Sequence, residues 1–201
     1  MSLLLETNAL AFHRYGNPVF KPLELNLPRG RAIVLTGPNG VGKTTLLRLL
    51  AGILTPVRGR LQHHAEVAFV GHLPALKGDL TCRENLAYER HVGPPGLDMP
   101  GALARVGLAG LGSRPARALS AGQKRRLGLA RLLVRKTPIW LLDEPYASLD
   151  DAGCGIVDEL IREHLAHDGG VVLATHQRHP RVDERLLDNI TLEFSPEEET
   201  S

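Results

Sequence analysis

Short stretches of alternating hydrophobic and polar residues open the chain. They include LLLE at 3–6, LAFHRYG at 10–16 and LELNL at 23–27, and a period of two is typical of half-buried strands. Further strand-like runs lie near Leu61 and at 67–70. We therefore predict a small antiparallel β subdomain in the N-terminal part of the chain.

Continuous apolar runs alternate with helical patterns in the rest of the sequence. The run 32–36 leads into a glycine-rich loop, and leucines at helical spacing follow over 43–54. The apolar runs 139–142 and 171–174 are separated by an amphipathic segment at 151–167, which is long enough to cross over as a helix. This order predicts an α/β fold with a mostly parallel, helix-flanked core sheet.

A helix-rich section lies between these two parts, and we place a helical subdomain roughly at 73–136. Prolines and glycines at 92–96 (VGPPG) exclude a continuous helix there, so we expect a mobile connector. A basic helix is predicted at 124–136, with leucines interleaved as a core stripe. Its basic residues suit either a solvated face or a patch that faces nucleic acid or lipid, and the solvated face is favoured.

Composition is that of one well-cored globular domain spanning 1–201, with 43% hydrophobic and 23% charged residues. The net charge of +2 is too small to indicate nucleic acid as a partner. Cys82 and Cys154 stand alone, which predicts two small buried side chains in a reducing compartment.

Nothing in the sequence approaches the roughly 20 apolar residues that a membrane-spanning helix needs. The N-terminal apolar stretch is also too short for a signal peptide, and an acidic residue follows it too early. We therefore expect any membrane role to come through a partner. The acidic stretch at 196–199 is expected to be solvated.

The segment GPNGVGKTT is a complete phosphate-binding loop of the pattern G-x-x-x-x-G-K-[ST]. Small residues let backbone N–H groups wrap the phosphates, Lys43 is expected to contact the β- and γ-phosphates, and the Thr44 hydroxyl is expected to ligate Mg²⁺. The predicted nucleotide-binding residues of this loop are Gly37, Pro38, Asn39, Gly40, Val41, Gly42, Lys43, Thr44 and Thr45.

Two acidic residues end the apolar run of WLLDEP. Asp143 lies where an open parallel sheet presents residues to a ligand, and its carboxylate suits Mg²⁺. Glu144 is the natural general base for the attacking water. His176 ends the next apolar run and is therefore expected at the same edge of the sheet. The other histidines, His63 and His64 among them, lack the spacing of metal ligands, and we expect them to be solvated.

The segment LSAGQ precedes the basic helix. Ser120 is placed to cap that helix, and its first N–H groups are able to bind an anion. A good helix start is the plainer interpretation of the same residues. The segment comprises Leu119, Ser120, Ala121, Gly122 and Gln123.

The order of these motifs, followed by Ser148, Leu149 and Asp150 and then by His176, resembles the ATP-binding cassette (ABC) family of P-loop NTPases. The resemblance implies an ATP- and Mg²⁺-dependent ATPase in which LSAGQ binds the γ-phosphate held by a second copy. Two ATP molecules would then join a head-to-tail homodimer, with 148–150 at the dimer contact. His176 would touch the γ-phosphate and hold the water. Tyr15 would stack on adenine, although a partly buried strand tyrosine is the alternative.

One departure from the family pattern is informative. Most cassettes carry a glutamine that contacts Mg²⁺ after the strand that follows the first helix. This chain has His72 there, so the resemblance makes His72 a candidate Mg²⁺ residue beside Thr44 and Asp143. The segments VGHLPALK at 70–77, LT at 80–81 and ENL at 84–86, with the alanine of LSAGQ and the short chain, resemble the haem exporter ATP-binding subunits of bacterial cytochrome c maturation.

That resemblance implies a peripheral ATPase at the cytoplasmic face of the inner membrane. Its partners would be a multi-span membrane subunit and, indirectly, a periplasmic haem chaperone, and its hydrolysis would drive either haem export or release of the loaded chaperone. Three alternatives remain: an ATPase subunit of another exporter, a soluble ABC protein acting on ribosomes or DNA, and an inactive nucleotide-binding module. The last would be expected to lack Lys43, Glu144 or His176, which are all present.

Overall fold

The computed structural model describes residues 2–91, 93–176 and 179–195. Within these residues the strands are β1 Leu3–Ala11, β2 His13–Arg14, β3 Asn17–Pro18, β4 Leu23–Pro28, β5 Ala32–Thr36, β6 Arg58–His63, β7 Val67–Val70, β8 Ile139–Asp143, β9 Gly170–Ala174 and β10 Leu187–Thr191. The α-helices are α1 Lys43–Leu50, α2 Cys82–Arg90, α3 Met99–Arg105, α4 Ala121–Leu133 and α5 Asp151–Ala166.

The core sheet has the strand order β10-β5-β9-β8-β7, and all of its pairings are parallel. The register places Asp143 opposite Ala174 and Leu35 opposite Ala174, so the carboxyl ends of β5, β8 and β9 meet at one edge. Side chains of β8 alternate between two buried clusters, with Ile139 and Leu141 on one face and Trp140 and Leu142 on the other. Burial on both faces explains why this strand is a continuous apolar run.

The predicted antiparallel sheet is present, with the order β4-β1-β6. It packs with α1 on one face of the core sheet, where Leu5, Leu27, Leu46 and Leu47 are fully buried. The helices α2 to α5 cover the other face. Truncating one of these buried leucines to alanine typically costs about 2–5 kcal/mol, so this layer is a main source of stability.

Helix bounds differ from the sequence predictions where capping decides them. Helix α1 ends at Leu50 because Gly52, with φ of +70°, follows it and turns the chain. Helix α4 begins at Ala121 rather than 124, because Ser120 caps it, and it ends at Leu133. The connector around 93–96 is tied to the end of α4, with Gly96 N–H donating to the Val134 carbonyl at 3.0 Å.

Three basic residues of α4 correct the prediction of a solvated face. Arg125, Arg126 and Arg131 are buried or half-buried, and each donates to backbone of a neighbouring segment. Their acceptors are the carbonyl oxygens of Gly71, His72, Pro74, Val106 and Gly107. Long basic side chains bury well when their donors are satisfied, which the sequence pattern does not reveal.

The expectation that the other histidines are solvated is wrong for His164. Its ring stacks on Trp140 with the centroids 3.8 Å apart, and its Nε2 contacts the Pro138 carbonyl at 3.1 Å. Burial lowers the pKa of His164 to about 4, so the imidazole is neutral at pH 7.

Cys82 and Cys154 are buried, as predicted. Among the described helices, none is both long and apolar enough to span a bilayer. The acidic stretch at 196–199 lies outside the described residues.

Candidate nucleotide-binding site

The phosphate loop runs from the end of β5 to the start of α1. Gly37, Gly40 and Gly42 have φ values of +130°, +82° and +108°, which L side chains rarely adopt. A Cβ at Gly42 would lie 2.6 Å from Val19 Cγ1, and a Cβ at Gly37 would lie 2.6 Å from the Leu192 carbonyl oxygen. The loop therefore needs glycine for both its conformation and its packing.

Lys43 is buried at the base of this loop. Its Nζ donates to the carbonyl oxygens of Gly37 at 2.7 Å and Pro38 at 3.1 Å. The ammonium is thus held over the loop, where it faces the position that the phosphates occupy in such motifs. A lysine so placed supplies a positive charge to the terminal phosphates.

Thr44 and Asp143 meet although they are far apart in sequence. The Thr44 hydroxyl lies 3.0 Å and 3.2 Å from the two carboxylate oxygens of Asp143, whose side chain is almost fully buried. The meeting follows from the parallel sheet, because α1 begins beside the end of β8. A hydroxyl and a carboxylate side by side are oxygen ligands of the kind Mg²⁺ prefers.

Glu144 and His176 form the second polar pair. His176 Nδ1 lies 2.6 Å from Glu144 Oε1, and the Glu144 N–H donates to the Ala174 carbonyl at 2.9 Å. Glu144 has φ of +51°, a conformation that is costly for a residue with a side chain and that clusters at functional sites. The strained backbone turns the carboxylate away from the strand and toward the histidine.

These groups share one cavity of about 420 Å³. Its lining residues are Arg14, Asn39, Gly40, Gly42, Lys43, Thr44, Thr45, His72, Asp143, Glu144 and His176. The cavity brings together most of the predicted loop residues, the two strand-end acids, His176 and His72. Val41 lies outside the lining because its side chain is fully buried in the core.

Arg14 is a lining residue that the sequence did not single out. Its Nη2 donates to the Thr45 hydroxyl at 3.3 Å, so it adds a second cation to the cavity. Only the fold brings β2 to the phosphate loop, and the available signal was its position next to Tyr15. Tyr15 itself is 99% exposed, so the alternative of a partly buried strand tyrosine is wrong.

The LSAGQ segment does not line this cavity. The Ser120 hydroxyl accepts from Gln123 N–H at 3.2 Å, and the Gln123 side chain accepts from Ser120 N–H at 3.0 Å. This reciprocal cap pairs the N–H groups of Ser120 and Gln123 within the segment. A Cβ on Gly122 would lie 2.7 Å from the Ser148 carbonyl oxygen, so the segment packs against 148–150. Asp150 caps α5 by accepting from Gly153 N–H at 2.8 Å.

Arg125 connects α4 to the cavity. It is 5% exposed and donates to the carbonyl oxygens of Gly71 at 2.9 Å and His72. Burial lowers the pKa of Arg125, while the carboxylates of Asp143 and Glu144 oppose that shift, and an arginine stays protonated in either case. The guanidinium therefore fixes the backbone that carries His72.

Comparison with protein families decides the identity of this site. The family model described as ABC transporter matches residues 20–147, from before the phosphate loop to beyond Glu144. The chain belongs to the ABC transporter family. It is consequently an ATPase, and we call the cavity that contains its phosphate loop the ATP cavity.

Among curated ABC proteins, the relatives include two cytochrome c biogenesis ATP-binding export proteins CcmA. The protein from Xanthomonas oryzae pv. oryzae is 45% identical over 198 residues, covering 92% of each chain. The protein from Rhodobacter capsulatus is 44% identical, covering 97% of this chain and 91% of its own.

Solved structures of ABC proteins share the fold. An ATP-binding subunit of an ABC transporter superposes with a TM-score of 0.81 at 24% identity, covering 94% of this chain and 85% of its own. The cbiO1 protein from Clostridium perfringens, part of the ABC transporter complex cbiONQ, gives 0.76 at 25% identity, with 96% and 86% covered. The predicted α/β class with a parallel core, an antiparallel subdomain and a helical subdomain is confirmed.

Proposed function

We propose that this chain is the ATP-hydrolysing subunit of a membrane ABC complex that drives haem export or haem-chaperone release in cytochrome c biogenesis. The Glu144–His176 pair, which lines the phosphate-loop cavity, carries the assignment of the residue that activates water. The identity of 45% to a cytochrome c biogenesis ATP-binding export protein supports the cellular role.

In the proposed reaction Glu144 is the general base. Its carboxylate takes a proton from a water molecule as the water oxygen bonds to the γ-phosphorus, and the bond from that phosphorus to the β–γ bridging oxygen breaks. ADP and inorganic phosphate are the products. The 2.6 Å contact with His176 fixes the direction of the carboxylate, and Lys43 offsets the negative charge of the phosphates.

Mg²⁺ fits the pair formed by Thr44 and Asp143, because both present oxygen atoms to the cavity at its phosphate end. When bound with ATP, the ion neutralises charge on the β- and γ-phosphate oxygens. His72 also lines the cavity, where other family members carry a glutamine, and it is the third proposed Mg²⁺ residue.

We further infer that the active form is a homodimer with ATP between the two copies. The LSAGQ segment lies outside the ATP cavity of its own chain and presents the capped start of α4. N–H groups at a helix start favour an anion, so this segment suits the γ-phosphate held by a second copy. Residues 148–150 pack against it and would lie at the same contact.

The proposed partners are a multi-span membrane subunit and, through it, a periplasmic haem chaperone. The proposed place is the cytoplasmic face of the inner membrane, where this chain would bind as a peripheral subunit. The net charge of +2 gives no support for a nucleic-acid partner.

The cellular role is tested by purifying tagged Glu144→Gln protein with ATP from solubilised membranes and identifying the bound chains by mass spectrometry. The glutamine variant is expected to bind ATP without turning it over, which holds the assembled complex together. Recovery of membrane subunits and a haem chaperone of cytochrome c maturation is the expected result. An unrelated permease would leave the ATPase assignment and remove the haem role, and ribosomes without membrane protein would remove both.

A further inference from the structure

A second cavity lies at the opposite edge of the core sheet from the ATP site. It has a volume of about 610 Å³, within the range of small-molecule pockets. It is bounded by the ends of α4 and α5 and by the segment that leads into β8. We call it the opposite-edge cavity, because Trp140, the second residue of β8, lines it while Asp143 ends the same strand at the ATP cavity.

Two buried hydrogen-bonding atoms in residues that line this cavity have no partner among the described residues. They are the Thr137 hydroxyl oxygen and Trp140 Nε1. Thr137 is 4% exposed and Trp140 is 5% exposed, so both side chains lie within the wall of the cavity. Buried polar groups in native proteins are nearly always hydrogen-bonded, so two unpaired groups beside one cavity indicate a missing partner. The indole N–H is a donor only, so that partner must offer an acceptor.

The rest of the lining combines apolar surface with unengaged cations. Leu97, Leu133 and Leu160 form much of the wall. No side-chain hydrogen bond or ion pair to Arg29 or Lys136 occurs within the described residues. The ionised groups along the cavity are Arg29, Arg135, Lys136, Glu163 and Asp168.

The carboxylates do not cancel these cations. Glu163 is already paired with Arg105 at 2.6 Å, which leaves Asp168 as the remaining acid of the lining. Arg135 donates to the Val67 carbonyl at 2.9 Å and holds one wall in place. His164, stacked on Trp140, is neutral at pH 7 because burial lowers its pKa. The cavity therefore favours a ligand with an apolar body and a negative charge.

We infer that the opposite-edge cavity binds a small amphipathic organic anion, with its apolar body against the leucines and the Trp140 ring, an acceptor atom toward Trp140 Nε1, and its anionic group toward Arg29 and Lys136. The size of the cavity suits one or two aromatic rings or a medium-length acyl chain. The ligand is distinct from ATP, whose cavity lies at the other end of β8. The inference does not depend on the proposed function in haem export.

Trp140 is the single tryptophan of the chain, so all tryptophan emission originates in the wall of this cavity. The experiment titrates the full-length protein with anilinonaphthalene sulfonate and follows quenching of Trp140 by energy transfer. We expect saturable quenching with one equivalent bound, displacement by decanoate, and no displacement by ATP. Absence of quenching, or displacement of the probe by ATP, would overturn the inference.

Two variants test the charge and the apolar wall separately. Lys136→Glu is expected to weaken probe binding about fivefold, since an exposed charge contact contributes modestly and its sign is reversed. Leu97→Ser, at a residue that is 44% exposed, removes apolar contact with little risk to the fold and is expected to weaken binding to a similar degree. Arg162→Glu is the matched control, because this exposed residue of α5 does not line the cavity. Equal affinity in all three variants and the wild type would contradict the assignment.

Discussion

The ATP cavity and the LSAGQ segment differ in how their polar groups are satisfied. In the cavity, groups from distant parts of the chain contact one another: Thr44 with Asp143, and Glu144 with His176. In the LSAGQ segment, the hydroxyl and the N–H of Ser120 both pair with Gln123, three residues on. The ATP cavity is thus assembled from distant segments of the chain, whereas the LSAGQ segment is a capped helix start that lies outside this cavity. In the proposed homodimer, this helix start is the half-site that completes the ATP cavity of a second copy.

The largest expected effect comes from breaking the assembled region. Glu144→Gln keeps the shape of the side chain but cannot accept a proton, so ATP hydrolysis is expected to fall about 10³-fold. ATP binding should be retained, because Lys43 and the phosphate loop are unchanged. Steady-state phosphate release and equilibrium binding of labelled ATP measure the two effects. A hydrolysis rate near that of the wild type would show that Glu144 is not the base.

A smaller loss is expected from breaking the other region. Ser120→Arg places a large cation at the start of α4, which removes the cap and blocks approach of a second copy. Hydrolysis should fall about 10²-fold, as for a misplaced catalytic group, while ATP binding to the monomer is spared. Circular dichroism and ATP binding serve as controls. Loss of ATP binding together with hydrolysis would indicate a folding defect and not a role for the segment.

Arg125 joins the two regions, so changing it tests whether they act independently. Arg125→Gln removes charge-assisted hydrogen bonds to the carbonyls of Gly71 and His72 and is expected to destabilise the fold by about 3 kcal/mol. Hydrolysis measured well below the melting temperature should also drop severalfold, since the backbone of His72 loses its support.

The matched control for that variant is Arg126→Gln. Arg126 lies on the same helix and donates to the carbonyls of Val106 and Gly107, which are away from the ATP cavity. The Arg126→Gln variant is expected to have a lower free energy of unfolding but nearly the same rate of hydrolysis. Equal losses of hydrolysis in the two variants would argue that Arg125 has no special connection to the site.

The smallest expected effect is on the pH dependence of stability, and it comes from His164, which lies away from the ATP cavity. The pKa of His164 is about 4 in the folded state, below its usual value, so the unfolded chain binds more protons as the pH falls from about 6.5 to 4. The free energy of unfolding should therefore decrease by on the order of 1–2 kcal/mol between pH 7 and pH 5 from this group alone. His164→Gln should flatten that part of the pH profile in urea unfolding. An unchanged profile would show that His164 is not the responsible group.

The sequence alone predicted the parts of this molecule that depend on local patterns. Strands β5, β8 and β9 were recognisable as continuous apolar runs, and the cap at Ser120 followed from residue type and spacing. The cavity residues Asp143, Glu144 and His176 could be placed together because parallel strands present their carboxyl ends at one edge. No local pattern links Arg14 to the phosphate loop, since the contact is made through tertiary packing.

The two wrong predictions, on the basic residues of α4 and on His164, have the same physical origin. The basic residues of α4 look like a solvated face in sequence, yet Arg125, Arg126 and Arg131 find backbone acceptors that belong to distant segments. His164 carries no sequence signal of burial and is covered because α5 ends against β8. A side chain's acceptors cannot be read from its own neighbours in the chain when the fold supplies them.

The central claim is that a second copy completes the ATP site, and its most direct test mixes two variant proteins. Glu144→Gln and Ser120→Arg proteins, each nearly inactive alone, are combined at equal and high concentration, and phosphate release is measured. If LSAGQ of one copy acts on the ATP of the other, each mixed dimer contains one intact pair of regions. With random pairing, about half of the dimers contain one copy of each variant, and each of these has one intact site of two. The mixture should therefore recover about a quarter of the wild-type rate. A rate no higher than the average of the two separate variants would contradict an ATP site completed by a second copy.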